Sequence, residues 1–184
     1  MYRYVSMLRG INVGGHKIIK MPQLKELYES SGLTDVTTYI QSGNVIFRSR
    51  RKDPALVRRG IETAIEKSFG FPATVIIRRP SEMGKVIKRN PFAGLPGFEE
   101  RSLYVAFLSS RPALALVRGL GPLAAKTRDQ YMLIGDNVYL YIPSGAAKTL
   151  FSNTFFEKNL RVDATSRNWN TVCALFAMSG GKDK

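Results

Sequence analysis

Cysteine and histidine are almost absent: 184 residues contain one of each, Cys173 and His16. A lone thiol excludes an intrachain disulfide, and together with one imidazole it leaves a dedicated zinc site short of its usual ligands. Acidic residues are scarce too, 14 against 28 Lys and Arg, and they form no carboxylate pair or metal-binding cluster. No metal and no cofactor are expected. No run of about 18 apolar residues occurs. The start MYRYVSMLRG lacks a signal-peptide stretch, so a cytoplasmic protein with no membrane partner is expected. What is plentiful is apolar content, 44%, enough for a packed core, and positive charge, a formal +14 that exceeds what solubility needs. These point to a folded protein with an anionic partner.

RYVSMLR, ending at Gly10, has the composition of a strand that runs into a loop. Pro22 opens a helix with Leu24, Leu27 and Tyr28 on one face, closed by Ser31 and Gly32 with Leu33 as the C-terminal contact. VTTYIQ and NVIFRS read as two strands joined by a tight turn in which Gly43 takes positive φ. Asp53 and Pro54 then start a second helix with Val57, Ile61, Ala64, Ile65, Ser68 and Phe69 as its stripe, weakened by Gly60. The strand ATVIIRR completes a β-α-β-β-α-β order, the split βαβ arrangement of ferredoxin-like domains, with both helices on one sheet face and the other face free. Ser81 is read as the cap of a further short helix, and NPFAGLPGFEE as a break.

The second half starts again. YVSML at Tyr4 recurs as YVAFL at Tyr104, and GNVIF at Gly43 recurs as DNVYL at Asp136. Between them a helix is expected after Pro112. Later come helical residues around 145–159, a short strand near VDAT and a final helix. Internal duplication explains this more simply than chance likeness of β-rich pentapeptides. The reading is an α+β chain of two ferredoxin-like halves: residues 1–90, a linker at 91–101, and 102–184 with an added C-terminal helix.

Three stretches, LRGINVGGHKIIKMPQL, TYIQSGNVIF and the run from IPSGAAKT through TSRNWNTV, resemble the DUF1697 family of bacterial proteins. The resemblance extends over nearly the whole chain. It implies the same two-half α+β fold and no established activity. Where family members tend to carry a basic residue and Ser in the closing motif, this chain has Lys148 and Thr149.

Four segments are candidates for binding chemistry. In the loop Arg9–Lys17, Gly10, Gly14 and Gly15 let consecutive N–H groups face one point, with Arg9, Asn12, His16 and Lys17 as donors around them. The spacing matches neither nucleotide-binding glycine fingerprint, and a glycine-rich crossover would look the same. PSGAAKT is read as opening a helix with Lys148 and Thr149 near its N-terminus, where free N–H groups attract anions. The plain alternative is a Ser144 or Thr149 cap with Lys148 in solvent. Arg167 and Asn168 are placed at the start of the last helix, where a cation needs an anionic neighbour, either a ligand or Asp163. That helix has Trp169, Val172, Cys173, Phe176 and Ala177 as its core stripe.

The fourth is charge: Arg48 to Arg89 holds 12 basic residues against 4 acidic ones. Arg50, Arg51, Arg58 and Arg59 could converge on a phosphate backbone, although charge runs usually are solvated faces. Tyr39 and Phe47, or Tyr139 and Tyr141, are candidates for stacking bases on an open sheet. Three functions are therefore carried forward. The first is a binding module for nucleic acid or a phosphorylated small molecule, on a free sheet face or between the halves. The second is an enzyme acting on a phosphorylated or carboxylated small molecule, with His16 as acid or base and Arg9, Lys148 and Arg167 as anion clamps. The third is a protein-interaction module.

Overall fold

The computed structural model describes residues 1–121 and 127–181. The chain forms two compact units, Met1–Lys85 with the segment from Ala174 onward, and Val86–Cys173.

In the first unit, β1 (Tyr2–Leu8), α1 (Met21–Ser30), β2 (Thr34–Tyr39), β3 (Asn44–Ser49), α2 (Pro54–Phe69) and β4 (Val75–Arg78) follow in order, and α3 (Pro80–Lys88) comes after them. The sheet is antiparallel in the order β2-β3-β1-β4. The second unit has β5 (Leu103–Leu108), α4 (Leu114–Arg118), β6 (Gln130–Ile134), β7 (Asn137–Tyr141), α5 (Asn153–Leu160) and β8 (Ala164–Asn168), in the order β6-β7-β5-β8. The last helix, α6 (Trp169–Met178), follows β8 directly. The fold is α+β with two ferredoxin-like halves.

The repeat is reproduced in individual backbone bonds. Leu8 N–H donates to Gly43 O at 2.9 Å, and Leu108 N–H to Asp136 O at 2.9 Å. One residue later Arg9 N–H bonds Thr74 O, and Ser109 N–H bonds Asp163 O. The first N–H of the fourth strand meets a helix glutamate in both halves: Val75 N–H reaches Glu62 Oε1 at 2.9 Å and Ala164 N–H reaches Glu157 Oε1 at 3.1 Å.

Local chemistry explains two of the helix ends in the first unit. Asp53 Oδ1 accepts Ala55 N–H at 2.8 Å and caps α2, with Pro54 at the first helical position. Gly32, at φ 79°, ends α1, and Leu33 N–H returns to Tyr28 O while its side chain is buried. On α2, Val57, Ile61 and Ile65 are buried, whereas Ala64 and Phe69 are half-buried and Ser68 is exposed. All of these but Ser68 pack with Leu24, Tyr28, Tyr4 and Phe47 into the first core.

Several expectations are corrected. The other sheet face is not free: Val5, Met7, Ile46, Ile76 and Arg78 are buried, as are Val105, Phe107 and Tyr139 in the second sheet. Val5, Met7 and Leu8 on β1 and Val75, Ile76 and Ile77 on β4 put apolar side chains on both faces, the pattern of strands covered on both sides. The β2–β3 turn is wider than expected, spanning Ile40 to Gly43, and β2 lies two residues earlier. Asn44 Nδ2 bonds Tyr39 O at 3.1 Å and Ser42 Oγ at 2.9 Å across that loop. Ser81 does not cap α3, which begins at Pro80; Glu82 Oε2 instead accepts Arg79 N–H at 2.7 Å. No helix opens at Ser144: residues 143–148 form turns, and α5 starts at Asn153 behind the Ser152 cap. On α6 the buried side chains are Trp169, Thr171, Val172 and Leu175, whereas Cys173 and Phe176 are half-buried and Ala177 is exposed. Among the described residues, no helix is long and apolar enough to cross a membrane.

Candidate functional site

The Arg9–Lys17 loop is a small hairpin. Val13 bridges His16, whose N–H bonds Val13 O at 3.0 Å, and Gly14 and Gly15 supply the two positive φ values, 59° and 77°, that the turn needs. Asn12 ties the base of the loop: Oδ1 accepts Ile19 N–H at 2.8 Å, and Nδ2 donates to Ile19 O at 3.0 Å and Gln41 O at 2.7 Å. Lys17 Nζ donates to Pro72 O at 2.8 Å and lies 5.8 Å from the centre of the Phe71 ring. Asn12 and Lys17 thus brace the loop, while Gly14, Gly15 and His16 are exposed. Arg9 is half-buried.

In the second unit, Lys148 is exposed and its N–H closes a turn on Gly145 O. Thr149 Oγ1 accepts Phe151 N–H at 3.1 Å. The polar anchor of this connection is Asp129, which is buried and accepts the Ser144 hydroxyl at 2.8 Å. Arg167 is not at a helix start but inside β8, opposite Val105. It is buried, and Nη1 donates to Thr165 Oγ1 and to Ser166 O, both at 2.8 Å. Burial pulls its pKa down to about 10, which leaves it a cation at neutral pH. Asn168 ends the strand and caps α6, with Oδ1 accepting Thr171 N–H at 2.8 Å. Lys148 and Arg167 therefore differ in setting, one in a solvent-exposed turn and one within a sheet.

The basic connection after β3 is held at its backbone by two side chains. Tyr4, buried on β1, donates its hydroxyl to Lys52 O at 2.7 Å and lies 3.0 Å from Arg51 O. Arg79 Nη2 donates to the same Lys52 carbonyl at 3.0 Å, and burial raises the Tyr4 pKa. Arg50, Arg51 and Arg59 are exposed; Arg58 is half-buried with Nε 4.0 Å from Glu62. Arg48, also in this run, is paired with Asp35 at 2.9 Å. Ser49 pairs with Tyr2 at the start of β1, whereas the Arg9 loop leaves β1's far end, about 20 Å away along a seven-residue strand. The two predicted clusters of the first unit do not converge.

Beside Arg50 and Arg51 lies a cavity of about 340 Å³, between the end of α1, the end of β3 and the first half of α2. Its inner wall is apolar, formed by buried Leu33, Val57 and Ile61, and Leu56 is exposed at its edge. Ser31 and Ser49 contribute hydroxyls. The Ser31 hydroxyl donates to Leu27 O at 2.7 Å. Ser49 Oγ accepts Arg51 N–H at 3.1 Å, a bond that does not use the hydroxyl's own hydrogen. Gly60 faces open space: a Cβ there would meet nothing within 4 Å. Sequence reading missed Ser31 and Ser49, which carry no motif; the misplaced helix glycine was the one signal of a cavity.

Among the described residues, no group of three or more His, Cys, Asp or Glu is placed to hold a metal. Among solved structures, the conserved bacterial protein SP0830 from Streptococcus pneumoniae is similar over 97% of this chain and 98% of that chain, with a TM-score of 0.70 and 19% identity. At that identity the likeness is one of fold. No curated protein matches the sequence. The family described as protein of unknown function, DUF1697, matches residues 1–139, ending before the IPSGAAKT run. With three-quarters of the sequence matched, the chain belongs to the DUF1697 family.

Proposed function

We propose that the protein binds an anionic ligand, nucleic acid or a phosphorylated small molecule, at the end of the first unit that carries Arg50, Arg51 and Arg59. The observation that carries this reading is the clamped connection after β3. Tyr4 and Arg79 hold the Lys52 carbonyl, so the arginine backbone is ordered before any ligand arrives. A backbone ordered in advance removes part of the entropy cost of binding, and the planar guanidinium fork matches a phosphate or carboxylate. The +14 charge would draw such ligands from a distance. A cytoplasmic setting belongs to this reading, because the single thiol needs no oxidising compartment. The enzymatic alternative has less support, since His16 sits on an exposed turn.

Retention on heparin and on single-stranded DNA, read across a salt gradient, tests the proposal. The native chain should elute at high salt. Replacing Arg50, Arg51, Arg58 and Arg59 with Ala should remove most of that retention, and the salt slope should fall by roughly one for each phosphate that is no longer neutralised. Retention indifferent to salt, or unchanged in the quadruple variant, overturns it.

A further inference from the structure

The cavity beside Arg50 and Arg51 narrows the class of ligand. Its volume, about 340 Å³, lies at the small end of ligand pockets, which span roughly 300–1,000 Å³. A polyanion crossing the surface would have no use for the apolar wall of Leu33, Val57 and Ile61. A molecule with an apolar body would bury that wall and Leu56 from water.

Gly60 is the second, independent observation. It lies inside a helix of 16 residues, where glycine weakens the helix by roughly 1 kcal/mol relative to alanine. Its φ is not positive, and no neighbour crowds its Cβ position, so neither backbone conformation nor packing calls for glycine. What its hydrogen does is leave the α2 wall of the cavity bare. A local rule broken without a structural reason is the mark expected of a functional position.

Polarity within the cavity gives the ligand an orientation. Ser31 and Gly32 lie at the carbonyl end of α1, which disfavours negative charge, and the Ser31 hydroxyl is already spent on Leu27 O. Across from them, Arg50 and Arg51 supply positive charge, and the buried Ser49 hydroxyl has a hydrogen to donate. We infer that this cavity binds a small organic anion, with its apolar body against Leu33, Val57 and Ile61 and its carboxylate or phosphate at Arg50, Arg51 and Ser49. The inference rests on the anion-binding reading and deepens it.

The test is a titration of the full chain followed in amide proton–nitrogen NMR spectra, with phenyl phosphate and benzoate as probes. Inorganic phosphate and benzyl alcohol serve as head and body alone. Phenyl phosphate or benzoate should move the Gly32, Arg51 and Gly60 signals at about a tenfold lower concentration than either control. Gly60→Leu places a side chain in the cavity and should abolish those shifts, while heparin retention stays. Arg50→Ala with Arg51→Ala, both exposed, should weaken probe binding about tenfold and covers the case in which Gly60→Leu fails to fold. The inference is overturned if neither probe binds, if inorganic phosphate binds as tightly as phenyl phosphate, or if a folded Gly60→Leu binds as before. If heparin retention is still lost in the quadruple arginine variant in any of those cases, the anion-binding surface stands and only the cavity assignment falls.

Discussion

Arg78 and Arg167 occupy one position of a repeated sheet. Arg78 pairs with Val5 and Arg167 with Val105, and each guanidinium donates from Nη1 to the carbonyl before it, at 3.0 Å to Ile77 and 2.8 Å to Ser166. Both are buried. The second half adds a hydroxyl acceptor, Thr165, for its arginine. Thr165→Val keeps the shape and removes that acceptor. It should lower stability by roughly 1.5–3 kcal/mol, the range for a hydrogen bond to a charged group. A lower denaturant midpoint at unchanged slope is the reading to look for.

Alkaline pH should destabilise the protein. Burial pushes the Tyr139 phenol up to about 12 and raises Tyr28 strongly, from an ordinary value of about 10. Below pH about 10 both are neutral in the folded and unfolded chain, and their stabilisation is complete. Between about 10 and 12 the unfolded chain releases two tyrosine protons that the folded one still holds, which outweighs the opposite effect of the single buried Arg167, so stability falls as pH rises. Thermal midpoints measured from about pH 9 to pH 11 should therefore drop, and Tyr28→Phe should drop less steeply. At neutral pH that variant loses its 3.0 Å bond to Ser6, a cost of about 1 kcal/mol.

Two glycines should respond in opposite ways. Gly60→Ala meets no neighbour and should stabilise α2 by about 1 kcal/mol. Gly43 has φ 71°, and a Cβ there would lie 2.6 Å from Ile11 Cδ1 and 2.8 Å from Leu8 Cβ. Gly43→Ala should cost roughly 2–4 kcal/mol, from the left-handed backbone and the overpacking together. Equal and small effects in calorimetry would contradict both geometries.

Arg161 ends α5 in the left-handed region at φ 56°, the place that Gly70, at φ 75°, holds after α2. Arg161→Gly should remove that strain and raise stability by up to about 1 kcal/mol in chemical denaturation. A loss would show that the arginine side chain contributes more than its backbone costs.

The order of elements, the caps at Asp53 and Gly32, and the repeat of YVSML as YVAFL were legible because they depend on residues close together in sequence. The candidate site was half legible. Arg50 and Arg51 stood out as charge, and Gly60 as a weak point in a helix, but nothing short of the fold relates Ser31 to Ser49. The partners of Asn12 and Lys17 were not legible, because their acceptors, Gln41 O and Pro72 O, lie far along the chain. Composition and periodicity determined an α+β duplication with excess positive charge. Only tertiary structure decided that both sheet faces are buried, that the Arg9 loop leaves one end of β1 while the Arg50 connection leaves β3 beside the other, and that a cavity opens beside α2. Hydrogen bonding and burial at long range are set by strand register, which no short window of sequence contains.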